Sequence, residues 1–131
     1  MNKTTLVLKK FSWWLLPFFW MGIIYVFSHQ SVLPGSEVFV YDFICKKTGH
    51  LVFYMILFWS WHLAFTANQS DWKNKQLITY SWLIILCLCF IYAVFDEYHQ
   101  SLIPGRSARW RDVGVDLLGS HLAFFYSYKL I

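Results

Sequence analysis

The chain has 131 residues, of which 58% are hydrophobic, 22% aromatic and only 14% charged. Soluble domains average about 25% charged residues, so the composition excludes an ordinary soluble enzyme and points to one all-α membrane domain over residues 1–131. The net charge of +4 comes from lysines spread over the ends of apolar runs and a few arginines, which argues against a nucleic-acid partner and suits residues that flank a membrane.

Lys3, Lys9 and Lys10 precede a run from Phe11 to Ser36 that contains no Asp, Glu, Lys or Arg. A basic start before an apolar run is also the pattern of a signal peptide. Here the run is rich in aromatic residues, lacks a small-residue cleavage pattern and is followed by three further apolar stretches. A first transmembrane helix is therefore expected over about 13–27, with Trp13 and Trp14 at the interface. Pro17 would then sit in its opening turns, where a missing N–H does least harm.

The charge-free run Thr48 to Ser70 predicts a second helix over 48–67. The run Gln76 to Phe95 predicts a third over 77–97 that continues past Asp96 to Gln100. Both approach the roughly 20 residues that a bilayer crossing needs. A shorter fourth span is expected over 113–129, interrupted by Asp116. Cys45, Cys87 and Cys89 are odd in number and lack a CxxC spacing, so they build neither a disulfide framework nor a zinc site and read as small apolar residues.

These four spans predict a four-transmembrane-helix bundle. With the N-terminus inside, six basic residues lie inside (Lys3, Lys9, Lys10, Lys73, Lys75, Lys129) and five outside (Lys46, Lys47, Arg106, Arg109, Arg111). That bias is small, and the first span usually dominates, so the expected topology is N-in, C-in, in a bacterial cytoplasmic membrane. Whatever the orientation, the first loop (Ser28 to Lys47) and the third (Ser101 to Arg111) share one membrane face.

Those two loops carry a repeat. His29 to Ser36 reads HQSVLPGS and His99 to Arg106 reads HQSLIPGR, five identities at an offset of 70. Each copy follows an odd-numbered span and ends in a Pro-Gly turn. This suggests two parallel helical-hairpin repeats, with His29-Gln30 and His99-Gln100 facing each other across a pseudo-twofold axis. Chance similarity in a short, biased window is the rival explanation.

Helical spacing groups the polar residues near the same face. Lys47, His50 and Tyr54 form one stripe, Tyr92, Asp96 and Gln100 a second, with Glu97 beside it, and Asp112, Asp116 and Gly119 a third. Gly119 would let another helix come close. The stretch Phe95 to Asp116 holds Asp96, Glu97, Asp112 and Asp116, four of the chain's seven acidic residues. Intramembrane charges are costly, so the cluster is a candidate site, with interhelical acid–base glue as the plainer reading. Arg109 and Arg111 suit interface anchoring, and His62 and His121 suit packing.

The residues FSHQ (Phe27 to Gln30), Lys47-x-x-His50-x-x-x-Tyr54, Asp96-Glu97 with Gln100 and Pro104-Gly105-Arg106, and Asp112, Asp116 and Gly119 follow one another in a recognisable order. On these motifs the chain resembles the VanZ-like family along nearly its whole length. His29 departs from the family pattern, which more often has a second serine there. The resemblance implies a small bacterial integral membrane protein, in a family whose founding member is linked to lowered susceptibility to the glycopeptide teicoplanin. It implies no transferable chemistry.

Two function classes fit. The first is an enzyme acting on a lipid-linked, phosphorylated envelope substrate in an outward-facing polar pocket. Arg106 and Lys47 would hold the phosphate, with Gln30, Gln100 and Tyr54 lining the site. Asp96, Glu97, Asp112 and Asp116 would serve as base or as ligands for a divalent cation, and His50 or His99 as acid. Neither an HExxH zinc motif nor a nucleophile elbow is present. The second class is a non-catalytic protein that binds membrane-lipid headgroups or occludes an amphiphilic drug. A transporter subunit is a weaker third, since so small a bundle would need to oligomerise.

Overall fold

The computed structural model describes residues 3–29, 39–104 and 109–129. Regular structure among them is entirely helical: α1 (Lys3–His29), α2 (Phe39–Asn68), a 3-10 turn (Gln69–Asp71), α3 (Lys75–Thr79), α4 (Ser81–Ser101) and α5 (Trp110–Ser127). Among the described residues three stretches are long and apolar enough to cross a membrane: Lys10–His29, Lys46–Asp71 and Ser81–Ser101. Helix α5, with 18 residues, is a shorter and more polar companion that includes Arg111, Asp112 and Asp116.

The helices begin earlier than charge-free runs alone indicate. Helix α1 starts at Lys3, which places Pro17 well inside it rather than in its opening turns. Its ring is buried, and one absent N–H is tolerated in a membrane helix because neighbouring helices can serve the freed backbone group. Helix α2 starts at Phe39 and passes through Lys46 and Lys47. Lysines are good helix formers, so charge ends the apolar stretch without ending the helix. The third predicted helix is divided at Tyr80 into α3 and α4. The Asn74 side chain accepts the Gln76 N–H at 2.9 Å to open α3, and the Tyr80 carbonyl then accepts from Leu83 and Ile84 to start α4.

Helix α2 is the centre of the bundle. It packs most extensively on α5, then on α1, and also touches α4. Tyr54, Leu57, Phe58 and Ala64 of α2 are fully buried, with Ile85, Cys89 and Ala93 of α4 and Ile24 of α1 around them. Large aromatic residues bring polar tips inside, and these find backbone acceptors. Trp20 Nε1 donates to the Phe53 carbonyl at 2.8 Å, and the Tyr92 hydroxyl to the Met21 carbonyl at 2.6 Å. Phe18, Phe19, Ile91 and Phe95 face outward, as residues that meet lipid do.

Helices α2 and α5 approach closely at Gly119. A Cβ there would overlap the Leu51 carbonyl of α2, whereas one at Gly22 or Gly114 would meet nothing within 4 Å. The absence of a side chain at this position lets the α2 and α5 backbones touch.

Alternation of the helices sorts polar groups by end. Lys10 pairs with Asp71 at 2.6 Å, and Asn68 donates to the Lys10 carbonyl at 3.3 Å, which ties α1 to the α2–α3 connection. The opposite end gathers the end of α1, the early turns of α2, the end of α4 and the start of α5.

Candidate functional site

At this second end the bundle interior becomes polar. Asp96 and Asp116 are each 1% exposed, Gln100 5% and Glu97 6%, a degree of burial rare for acids unless they are paired. They lie on the same inward faces as the apolar residues Ile85, Cys89 and Ala93 of α4 and Val113 and Ala123 of α5, so packing carries the acids inside.

Asp96 is held from two sides. Ser28 of α1 donates to its Oδ2 at 2.8 Å, and Gln100, one turn further along α4, donates to the same oxygen at 2.9 Å. Its Oδ1 has no hydrogen-bond partner among the described residues. Asp116 faces α2, with its Oδ1 3.0 Å from His50 Nδ1. Its other oxygen, Oδ2, is likewise without a partner among the described residues.

Lys47 of α2 forms an ion pair with Asp112 at the start of α5. Both are half-buried, so the pair lies where the polar interior meets the surface. Glu97 acts across a different gap, accepting the backbone N–H of Arg109 through Oε1. Arg109 is the residue immediately before the first turn of α5. The carboxylate therefore serves the positive end of that helix. Its Oε2 has no partner among the described residues.

Tyr54 stands one turn below His50 on α2. Its ring is fully buried, and its hydroxyl has no partner among the described residues. At the outer edge His29 and His99 meet. His29 Nδ1 and His99 Nε2 are 3.2 Å apart, the rings are stacked at 5.4 Å between centroids, and the Tyr25 ring lies 4.4 Å from His99.

The structure thus brings His50, Tyr54, Asp96, Gln100 and Asp116 into one interior cluster, with Lys47, Asp112 and Glu97 along its rim. Gln30 and Arg106 lie outside the described residues. Two participants carried no separate signal in the sequence. Ser28 sits in the FSHQ motif but looks there like one hydroxyl in an apolar run. Arg109 contributes its backbone N–H, for which no side-chain pattern exists. Among the residues expected merely to pack, His62 stacks on Phe58 with rings 10° apart, and His121 Nδ1 contacts the Leu117 carbonyl at 2.7 Å.

An interior of this kind can orient a carboxylate through two donors, share a proton between His50 and Asp116, and take up a cationic or hydrogen-bonding guest on the orphaned oxygens. No curated protein and no solved structure matches the chain. The family model described as VanZ/LLP1 matches residues 5–131, almost the full length, and three apolar helices fit a membrane protein. The chain belongs to the VanZ-like family, membrane proteins linked in general to glycopeptide resistance.

Proposed function

We propose that this chain is a multi-pass protein of the bacterial cytoplasmic membrane whose polar end faces outside and acts on, or binds, a lipid-linked phosphorylated envelope component. In this reading α5 is the fourth span and both termini are inside. The effect on cells would be lowered susceptibility to teicoplanin. The observation that carries the proposal is the burial of Asp96 and Asp116 beside His50 at one end of an otherwise apolar bundle. Charged groups in such surroundings are expensive and mark functional positions.

The roles follow from the contacts. His50, oriented by Asp116, is the group suited to take or give a proton. Asp96, fixed by Ser28 and Gln100, presents its remaining oxygen to the pocket. Lys47 and Arg106 supply positive charge for a phosphate, the lysine in exchange for its bond to Asp112. Tyr54 and Gln30 line the site.

A non-catalytic reading, in which the chain holds a headgroup or shields it from the drug, gains support from Glu97. Its contact with Arg109 gives that acid a structural task at the start of α5.

Susceptibility testing checks the site, and phosphorus NMR separates the two readings. In a teicoplanin-susceptible bacterial host, expression of the chain should raise the inhibitory concentration. At equal membrane abundance, His50→Gln and Arg106→Ala should each abolish that rise. Phosphorus NMR of polyprenyl phosphate incubated with the purified protein in nanodiscs should show a new headgroup species if the chain is an enzyme, and only a broadened resonance if it is a binder. Unchanged spectra and unchanged susceptibility together would refute the proposal.

A further inference from the structure

Three metal-ligand side chains from three different helices converge inside the bundle. His50 of α2, Asp96 of α4 and Asp116 of α5 each offer one donor atom, and all three atoms lie within 4.8 Å of one another. They stand on three separate stripes of the sequence, and packing assembles them into one group. Acidic groups on a surface often gather without an ion. These two aspartates are 1% exposed, and each keeps one oxygen, Asp96 Oδ1 and Asp116 Oδ2, without a hydrogen-bond partner among the described residues.

Independent of the acids, the buried hydroxyl of Tyr54, one turn from His50 on the same helix, is also without a partner among the described residues. Three orphaned polar atoms around one imidazole call for a guest that accepts oxygen lone pairs and neutralises negative charge. The existing hydrogen bonds suit such a guest. Ser28 and Gln100 both donate to Asp96 Oδ2, which fixes the carboxylate and leaves Oδ1 for a ligand. Nδ1 of His50 lies 3.0 Å from Asp116 Oδ1, so the neutral imidazole presents that nitrogen to an ion held between it and the carboxylate.

We propose that His50, Asp96 and Asp116 bind a divalent transition-metal ion of the zinc class. The donor set selects the class. Mg²⁺ and Ca²⁺ favour oxygen ligands, whereas one imidazole with two carboxylates suits Zn²⁺ and its first-row neighbours. Zinc with ligands near 2.0–2.2 Å holds them about 3.3 Å apart, so donors within 4.8 Å need close by only about 1.5 Å at most. Three protein ligands leave a fourth position open, as in catalytic zinc sites. The Tyr54 hydroxyl is the donor nearest in kind to serve a water or a phosphate oxygen there. The inference deepens the function proposed above, since an ion at this point would polarise a lipid phosphate.

The test uses the full-length, tag-free protein in detergent, stripped by chelator and titrated with Co²⁺. A His29→Gln, His99→Gln background removes the exposed histidine pair as a competing site. One equivalent of Co²⁺ should give the visible absorption of a low-coordinate ion, displaced by Zn²⁺. His50→Gln and Asp116→Asn should each weaken Zn²⁺ binding by about 100-fold or more, and Ser28→Ala, a positioning residue, by about 10-fold. Asp71→Asn at the opposite end should leave binding unchanged.

Absence of Co²⁺ uptake by the unsubstituted cluster overturns the proposal, as does binding that survives both ligand variants. Uptake that appears only after Arg106→Gln also overturns it, because a guanidinium would then be the resident cation. Should the ligand variants fail to fold, hyperfine coupling to a single imidazole nitrogen with Cu²⁺ as probe decides on the unsubstituted cluster, and its absence counts against the site. All readouts omit lipid, so loss of the metal and loss of headgroup binding are observed separately.

Discussion

Ser28 donates a 2.8 Å hydrogen bond to Asp96, joining side chains 68 positions apart in the chain. The contact links the end of α1 to the end of α4, and Gln100 repeats it from within α4 on the same oxygen. Hydrogen bonds between membrane helices average about 0.6 kcal/mol with a maximum near 1.7, and an ionised acceptor belongs toward the upper end of that range. Ser28→Ala is expected to destabilise the bundle by about 1–1.7 kcal/mol. In an Asp96→Ala background the same substitution should cost little. A double-mutant cycle of denaturant unfolding in micelles measures this, and equal costs in the two backgrounds would contradict the linkage.

Gly119 offers a sharper steric test. Its missing side chain lets the Leu51 carbonyl approach, while Gly22 and Gly114 stand in open space. Gly119→Ala should lose about 1–3 kcal/mol through overpacking. Gly22→Ala and Gly114→Ala should be neutral or gain up to about 1 kcal/mol from helix propensity. Thermal unfolding followed by tryptophan fluorescence would rank the three, and a tolerated Gly119→Ala would mean that α2 and α5 do not meet there.

The ion pair between Lys47 and Asp112 joins the same two helices nearer the surface. With both side chains half-buried, removal of one partner should cost about 1–3 kcal/mol, between the limits for exposed and buried pairs. The reversed pair, Lys47→Asp with Asp112→Lys, should recover part of the loss relative to either single charge reversal. Unfolding midpoints of the four proteins give the coupling, and a coupling of zero would refute the pairing.

Glu97 is expected to hold the beginning of α5 through the Arg109 N–H. Glu97→Gln keeps a carbonyl oxygen as acceptor, whereas Glu97→Ala removes it. Hydrogen exchange at residues 109–112 should therefore quicken severalfold in the alanine variant and much less in the glutamine variant. Identical protection in both would show that the acid does not serve this helix end.

Much of this architecture was legible because lipid-facing helices leave long charge-free runs. Stripes at helical spacing also singled out Asp96, Gln100 and Asp116, all of which are buried. The start of α2 at Phe39 was not legible, because Asp42, Lys46 and Lys47 end an apolar run while remaining compatible with helix. The pairings were not legible either. Whether Lys47 reaches Asp112 or Asp116 depends on the rotation and height of α2 against α5, which the close approach at Gly119 sets and which no one-dimensional pattern records. Pro17 shows the same limit, since its place within α1 depends on residues before the apolar run.

With α5 as the fourth span proposed above, the seam between α2 and α5 also bears on biogenesis. An acidic residue at the centre of a lone helix opposes insertion by about 2.5–3.5 kcal/mol, and α5 includes Asp112, Asp116 and Arg111. Such a segment is a poor candidate for entering the bilayer by itself. Helix α2, already synthesised and presenting His50, Lys47 and the backbone groove at Leu51, gives it a surface to insert against. Order along the chain then becomes a requirement of assembly. A circular permutant that delivers α5 to the translocon before α2 is expected to leave it outside the membrane, as reporter glycosylation or protease protection would reveal.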